Sequence, residues 1–309
     1  MLLAFLLFIA GLILLVKGAD IAVDGAKDVA LGMGLSPLFI GTTIIAFGTS
    51  LPELVVTTEA FSLGNYGIGM GNIIGSNIAN IALILGICAV VRPDAIARES
   101  WKGDVRRDMV LMILATGLFI LFSLRSTLDT VAGIVFLSSF SLILILLSRS
   151  GNKPDPVTCT PKSQKYSLAM TVLGLFLVIA GSHLLLGSAV AIARVFSVPE
   201  FFIGFTLVAV GTSLPELATS VAATLKGSLD IAVGNVLGSN IFNLTFILGL
   251  NSLLFVIPVT FAADLVMLLV FSLAVLILVY PRTAVTRGWG VLMLGAYAGC
   301  VMVSFHLPG

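Results

Sequence analysis

Apolar residues in this 309-residue chain fall into long blocks separated by short polar segments. Roughly 20 mostly apolar residues are enough for a helix to cross a bilayer. Ten such blocks centre near residues 9, 47, 80, 116, 138, 176, 209, 245, 270 and 298. Each predicts a membrane-spanning helix. The first, "LLAFLLFIAGLILLV", has no basic residue before it and no small-residue cleavage pattern after it, so it reads as a retained helix and not as a secretory signal.

Composition agrees with this pattern. Hydrophobic residues make up 59% and charged residues 10%, with a mean hydropathy of +1.17, whereas soluble domains carry about 25% charged residues. The expected fold is an all-α polytopic membrane protein of ten transmembrane helices. A net charge of +1 points neither to nucleic acid nor to an acidic partner. Cys88, Cys159 and Cys300 lack metal-site or disulfide spacing and read as apolar filler.

Charge sets the expected orientation, because cytoplasmic loops hold the excess of Lys and Arg. With the N-terminus outside, all 16 basic residues except Arg125 and Arg194 fall in cytoplasmic segments, Lys17, Lys27 and Lys226 among them. Both termini are therefore expected on the outer face of the cell membrane.

The two halves repeat at a fixed offset of 163. Gly11 and Gly18 match Gly174 and Gly181, and residues 41 to 57 match 204 to 220 at ten of seventeen positions. "GNIIGSNIAN" from Gly71 matches "GNVLGSNIFN" from Gly234 at seven of ten. Residues 1–148 form the first five-helix unit, with its motifs in 41–86. Residues 149–166 form a polar, Pro- and Lys-bearing cytoplasmic linker, and 167–309 the second unit, with its motifs in 204–249. Five spans per unit is an odd number, so the second copy enters the membrane from the opposite side. Inverted repeats of this kind, with paired broken helices meeting near the midplane, characterise secondary transporters.

The chemistry lies in "AFGTSLPE" (46–53) and "AVGTSLPE" (209–216). Pro52 and Pro215 lack an N–H and clash with the carbonyl four residues back, so the second and seventh helices are expected to break there. Such a break is tolerated at membrane depth only where protein or a cavity supplies partners. It would free carbonyls at Ala46, Phe47, Ala209 and Val210 for a cation. "SLPE" also fits a capping box, with Ser50 returning a bond to its helix. A carboxylate near the bilayer centre costs about 2.5 to 3.5 kcal/mol, more than the ~1 kcal/mol a cap returns. No basic residue in the spans stands beside Glu53 or Glu216, so an imported cation is the expected counter-charge.

The "GNxxGSNxxN" segments add neutral oxygens. Asn72, Ser76 and Asn80 recur every fourth residue, as do Asn235, Ser239 and Asn243. Hydroxyl and amide oxygens suit hard cations such as sodium and calcium. The other reading is close helix packing at Gly71/Gly75 and Gly234/Gly238, with Ser and Asn as interhelical glue. That reading stays open for Asn72, Asn77, Asn235 and Asn240. Ser76, Asn80, Ser239 and Asn243 read as ligands. Asp20, Glu59 and His183 read as interfacial or helix-end residues, and "RESWKGDVRRD" (98–108) as a solvated cytoplasmic loop.

On these motifs the whole chain resembles the cation/calcium antiporter superfamily, in particular its prokaryotic sodium/calcium exchanger-like members. The resemblance implies a calcium site at Glu53 and Glu216 aided by Thr49 and Thr212. It also implies sodium positions around Ala46, Ser50 and Ser76 in one half and Ala209, Ser213 and Ser239 in the other, with Asn80 and Asn243 nearby. It further implies sliding of the first and sixth helices, whose spans end near Gly18 and Gly181. Some relatives carry Asp where this chain has Asn243. The neutral Asn leaves a site of charge −2, matched by one calcium or two sodium ions. A third sodium would make exchange electrogenic, and potassium co-transport is not expected.

The substrates expected are sodium and calcium in the lipid bilayer, with no cofactor, no enzymatic activity, no nucleic acid and no obligate protein partner. A hydrolase using the two glutamates as acid and base lacks a nucleophile and a zinc motif. A passive cation channel and a proton/calcium antiporter remain the rival transport readings.

Overall fold

The computed structural model describes residues 2–92, 104–149, 163–196, 209–259, 262–276 and 286–306. The protein is almost wholly helical, as a chain in lipid must be when it has to satisfy its backbone hydrogen bonds internally. In chain order the helices are α1 (Leu2–Met33), α2 (Pro37–Ile40), α3 (Ala46–Thr49), α4 (Leu51–Ser62), α5 (Tyr66–Ala79), α6 (Leu85–Val91), α7 (Asp104–Ser123) and α8 (Thr130–Arg149). There follow α9 (Gln164–Val195), α10 (Ala209–Thr212), α11 (Leu214–Leu225), α12 (Leu229–Ile241), α13 (Leu248–Leu254), α14 (Ala262–Ala274) and α15 (Arg287–His306).

Among the described residues five helical stretches are long and apolar enough to cross a membrane: Leu2–Met33, Tyr66–Val91, Thr130–Ser148, Gln164–Ile192 and Leu229–Leu254. A sixth is the pair Pro37–Thr49 and Leu51–Ser62, bent by 44° at Ser50. The interior helices α5–α6 and α12–α13 are largely buried, whereas α1, α8 and α9 bury only a minority of their apolar spans. Exposed Leu2, Phe5, Ile13, Ile134, Val172 and Phe176 on those three helices mark the lipid-facing wall.

π-helical turns interrupt three of the interior stretches. They cover Gly41–Ile45 between α2 and α3, Asn80–Ile84 between α5 and α6, and Phe242–Ile247 between α12 and α13. Such turns are uncommon and concentrate at functional positions. Two of the three contain an Asn that reads as a ligand, Asn80 and Asn243.

α1 and α9 lie against one another along their length. A Cβ on Gly18 would stand 2.7 Å from the Val178 backbone nitrogen, and one on Gly181 would stand 2.5 Å from that of Leu15. Only glycine permits so close an approach of two backbones. Each helix has 32 residues, or about 48 Å at 1.5 Å per residue, against a hydrocarbon core of about 30 Å. Each helix therefore outreaches the hydrocarbon core, and the span ends expected near Gly18 and Gly181 fall inside it. Both helices run on unbroken and carry Lys17, Asp20, Lys27 and His183 within them. Asp20 and Asp24 hold Lys226, with N···O distances of 3.3 and 2.8 Å.

The segment read as a solvated loop also needs correction. From Asp104 onward it is the first turn of α7, and Asp108 is fully buried. The helix-packing glycines divide by half: Gly234 and Gly238 lie against Leu38, Thr42 and Ala46, while no described atom stands within 4 Å of a Cβ at Gly71 or Gly75. Strands β1 (Thr127–Leu128) and β2 (Ile257–Pro258) form a two-stranded antiparallel clip between the halves, extended by Val259 N–H donating to Ser126 O. The linker residues 150–162, with Cys159, and residues 204–208 of the second motif region lie outside the described residues.

Candidate functional site

The two SLPE motifs start α4 and α11 at equivalent positions. Ser50 and Ser213 are the N-cap residues, with φ/ψ of −86°/8° and −87°/5°, and a proline opens each helix. Neither serine side chain caps its own helix, so the capping-box reading fails. The hydroxyls instead cross to the other half. Ser50 Oγ donates to Glu216 Oε1 at 2.9 Å, and Ser213 Oγ donates to Ser76 Oγ at 3.4 Å. The Ser76 hydroxyl in turn is directed at the Glu53 carboxylate.

Both glutamates are 1% exposed, and Oε2 of each has no hydrogen-bond partner. No ion pair to either is formed among the described residues. A buried carboxylate oxygen without a donor costs several kcal/mol unless a charge compensates it. Asn80 Oδ1, Ser239 Oγ and both terminal atoms of Asn243 are likewise buried without partners. Ser239 lies against Glu216 without closing a hydrogen bond to it. These orphaned atoms belong to the residues that read as ligands from the sequence, Ser76 excepted.

The other asparagines are structural. Asn235 Nδ2 donates to Thr219 Oγ1 and Ser220 Oγ, each at 2.9 Å, and its Oδ1 accepts from Thr49 Oγ1 at 3.1 Å. The equivalent Asn72 donates to Thr57 Oγ1 at 2.9 Å and accepts from Thr212 Oγ1 at 3.3 Å. Each threonine of one half is thus held by the asparagine of the other. Asn240 accepts from Asn80 Nδ2 at 2.9 Å and approaches the carbonyl of its own repeat equivalent, Asn77, at 3.4 Å. The glue reading therefore applies to Asn72, Asn235 and Asn240, whereas the Asn77 side chain donates only to Ile73 O of its own helix at 2.6 Å and its Oδ1 is buried without a partner. Thr57, Thr219 and Ser220, which the motif reading passed over, complete that layer. A hydroxyl one turn beyond each motif glutamate was the available signal.

One expected donor is corrected. The Ala46 carbonyl is not free, because it accepts from Ser50 N at 3.0 Å and from Thr49 Oγ1 at 3.3 Å. The Ser50 bond is the ordinary i→i−4 helical one; Pro52 removes the donor for Gly48 O and leaves that for Ala46 in place. Ala209 lies in α10 at the edge of the described residues.

The donors gathered here are all oxygens: two carboxylates, hydroxyls and amides, in a water-poor helical interior. That chemistry fits a hard, weakly held cation in transit, and the molecule is a membrane cation transporter. Comparison with known proteins narrows the class. The chain belongs to the sodium/calcium exchanger protein family, whose model matches residues 3–149 and 166–306. It is 39% identical over 264 residues, 82% of each chain, to the putative antiporter CaxA of Alkalimonas amylolytica. It is 30% identical to the sodium/calcium exchanger MaX1 of Methanosarcina acetivorans, over 98% of this chain and 99% of that one. A solved structure of the sodium-calcium exchanger NCX_Mj, soaked with 2.5 mM Na+ and 1 mM Sr2+, matches with a TM-score of 0.83 at 31% identity, covering 98% of both chains. The family is one of cation/calcium antiporters, transporters and not enzymes.

Proposed function

We propose that this protein exchanges sodium for calcium across the cell membrane by alternating access. The observation that carries the reading is the pair Glu53 and Glu216. The two are contributed by equivalent motifs of opposite halves, buried together and linked across the halves through Ser50 and Ser213–Ser76. In this reading Glu53, Glu216, Thr49 and Thr212 surround calcium. Ala46, Ser50, Ser76, Asn80, Ala209, Ser213, Ser239 and Asn243 form the sodium and central positions. Ala46 takes part only when Thr49 turns its hydroxyl away.

The architecture proposed is ten spans in two inverted five-helix repeats, with the second and seventh broken. Its support is the reciprocal pairing of Thr49 with Asn235 and of Thr212 with Asn72, and the meeting of the equivalents Asn77 and Asn240. An approximate two-fold axis would run between those last two residues. With Arg125 and Arg194 outside, both termini face outward and the linker faces the cytoplasm. A neutral Asn80/Asn243 pair leaves the site at −2, so three sodium ions per calcium would carry net charge. Each such charge is worth about 2.3 kcal/mol per 100 mV.

The unpartnered Oε2 atoms could each hold a proton, which makes proton/calcium exchange the second reading. Radiocalcium uptake into proteoliposomes loaded with sodium, potassium or protons separates the readings. Sodium-dependent uptake, lost in Glu53→Gln and Glu216→Gln, is expected. Equal drive by a proton gradient would establish the second reading, and uptake without any counter-ion would make the protein a channel.

A further inference from the structure

Outside the site, the one fully buried acidic side chain among the described residues is Asp108, a turn into α7. The transport reading gives it no role. Its Oδ1 accepts from Arg107 Nη2 at 2.7 Å and Nε at 2.9 Å. Its Oδ2 accepts from the Thr42 hydroxyl at 3.1 Å. Thr42 lies in the π-helical turn Gly41–Ile45, between α2 and α3. The same hydroxyl stands 2.8 Å from Leu38 O, so Thr42 is held between its own helix and α7.

Thr42 is also where the first broken span docks on α12. The backbone of Thr42 presses on Gly234 and Gly238, and a Cβ on Gly238 would meet Ala46 at 2.7 Å. Ala46 and Thr49 follow one and two turns later. Next to Gly238 stands Ser239, and Asn235 on the same helix holds Thr49. A rotation of the segment about its axis at Thr42 is thus carried to the oxygens of Ala46, Thr49 and Ser50. The π turn at Gly41–Ile45 departs from the regular α ladder, as such turns do at functional positions. The Asp108 contact adds a constraint at that turn.

We infer that Asp108, through Thr42, is a positioning residue that fixes the rotation of the Pro37–Thr49 segment and so sets the sodium positions at Ala46 and Ser50. The inference rests on the sodium/calcium reading above. Glu53 lies beyond the bend, on α4, and Glu216 and Thr212 lie in the other half, so of the four residues placed around calcium only Thr49 is on the segment that Asp108 holds. The position 163 residues on from Asp108 is Phe271. Position 205, equivalent to Thr42, is also Phe, so the other half carries no counterpart of this residue pair.

The test is radiocalcium binding to the purified full-length protein, with sodium as competitor, for the parent, Thr42→Val, Thr42→Ser, Asp108→Ala and the double variant Thr42→Val/Asp108→Ala. A hydrogen bond to a charged group contributes about 1.5–3 kcal/mol, so partial transmission of its loss gives roughly a tenfold rise in the sodium competition constant. That rise is expected in Thr42→Val and Asp108→Ala, with calcium affinity changed by less than about threefold. Thr42→Ser restores the parent value, and the double variant matches the single ones, because both remove one contact. Unchanged sodium competition in both single variants overturns the inference. So does a parallel loss of sodium and calcium binding with a lowered melting temperature, which would mark a purely structural contact. A parent whose calcium binding is insensitive to sodium removes the sodium reading itself, and is recognised because the parent shows it before any variant is compared.

Discussion

Replacing Glu216 by Gln keeps shape and removes one charge from a place where no described residue provides a counter-charge. At 4 Å and an effective dielectric of 20, a unit charge and a monovalent cation attract by about 4 kcal/mol, and a divalent cation gains roughly twice that. Loss of one carboxylate should therefore weaken calcium binding by at least about a thousandfold. The ion-free protein should respond in the opposite sense. Two buried carboxylates, each 1% exposed with an unpartnered oxygen, repel one another, and removing one relieves that repulsion while the amide can still accept from Ser50. Thermal unfolding of the detergent-purified protein, in chelator and in saturating calcium, reads both effects. Calcium at a thousand times its dissociation constant stabilises the parent by about 4 kcal/mol and raises its melting temperature by several degrees. Glu216→Gln and Glu53→Gln should melt no lower than the parent in chelator and show no rise with calcium. Glu59→Gln, on the same helix as Glu53 but exposed, serves as the control that keeps the rise. A calcium-induced rise of parental size in both variants, or a lower ion-free melting temperature in both, would refute the reasoning.

Other consequences are open to measurement. Ser50→Ala removes a 2.9 Å bond to a charged acceptor, and Ser213→Ala a 3.4 Å bond between hydroxyls. The first should destabilise the ion-free protein by about 1.5–3 kcal/mol and the second by about 0.5–1.5 kcal/mol, and equal effects in chelator would count against the geometry. Asn243→Asp adds a charge where both side-chain atoms lack partners; it should change the ion stoichiometry or selectivity of uptake, and identical transport across sodium, potassium and pH would sink the charge argument. Gly181→Leu forces a side chain into the Leu15 backbone of α1 and should cost about 1–3 kcal/mol or more by overpacking, read as lost melting temperature. Lys226→Ala breaks part-exposed pairs to Asp20 and Asp24 and should change stability by less than about 1 kcal/mol, an effect that fades in high salt.

What the sequence disclosed was the part of the site written twice. The paired SLPE and GSN segments located both glutamates and the neutral oxygens around them, because repetition at one offset makes a polar residue in an apolar block conspicuous. The cross-half bonds were less legible. Asn72, Asn235 and Asn240 sit in the same short segments as the positions read as ligands, and only the three-dimensional pairing assigns them to packing. Asp108 was hidden by its neighbours: beside Arg106 and Arg107 it resembles loop charge, and its burial depends on Thr42, 66 residues away. The π turns, GTTII, NIALI and FNLTFI, share no residue pattern that sets them apart from ordinary helix. The Ala46 carbonyl was misjudged because Pro52 deprives only Gly48, four residues back, of a helical donor, while the Ser50 N–H that bonds Ala46 lies before the proline.

The short clip formed by β1 and β2 bears on the mechanics of the whole molecule. Thr127 faces Pro258 and Leu128 faces Ile257, and the main chain is bonded again from Val259 to Ser126. These loops follow α7 and α13, one from each half, and main-chain bonds join them more rigidly than side-chain contacts would. The clip thus ties the chain after α7 to the chain after α13 through the backbone itself, at a point where truncating a side chain leaves the bonds in place.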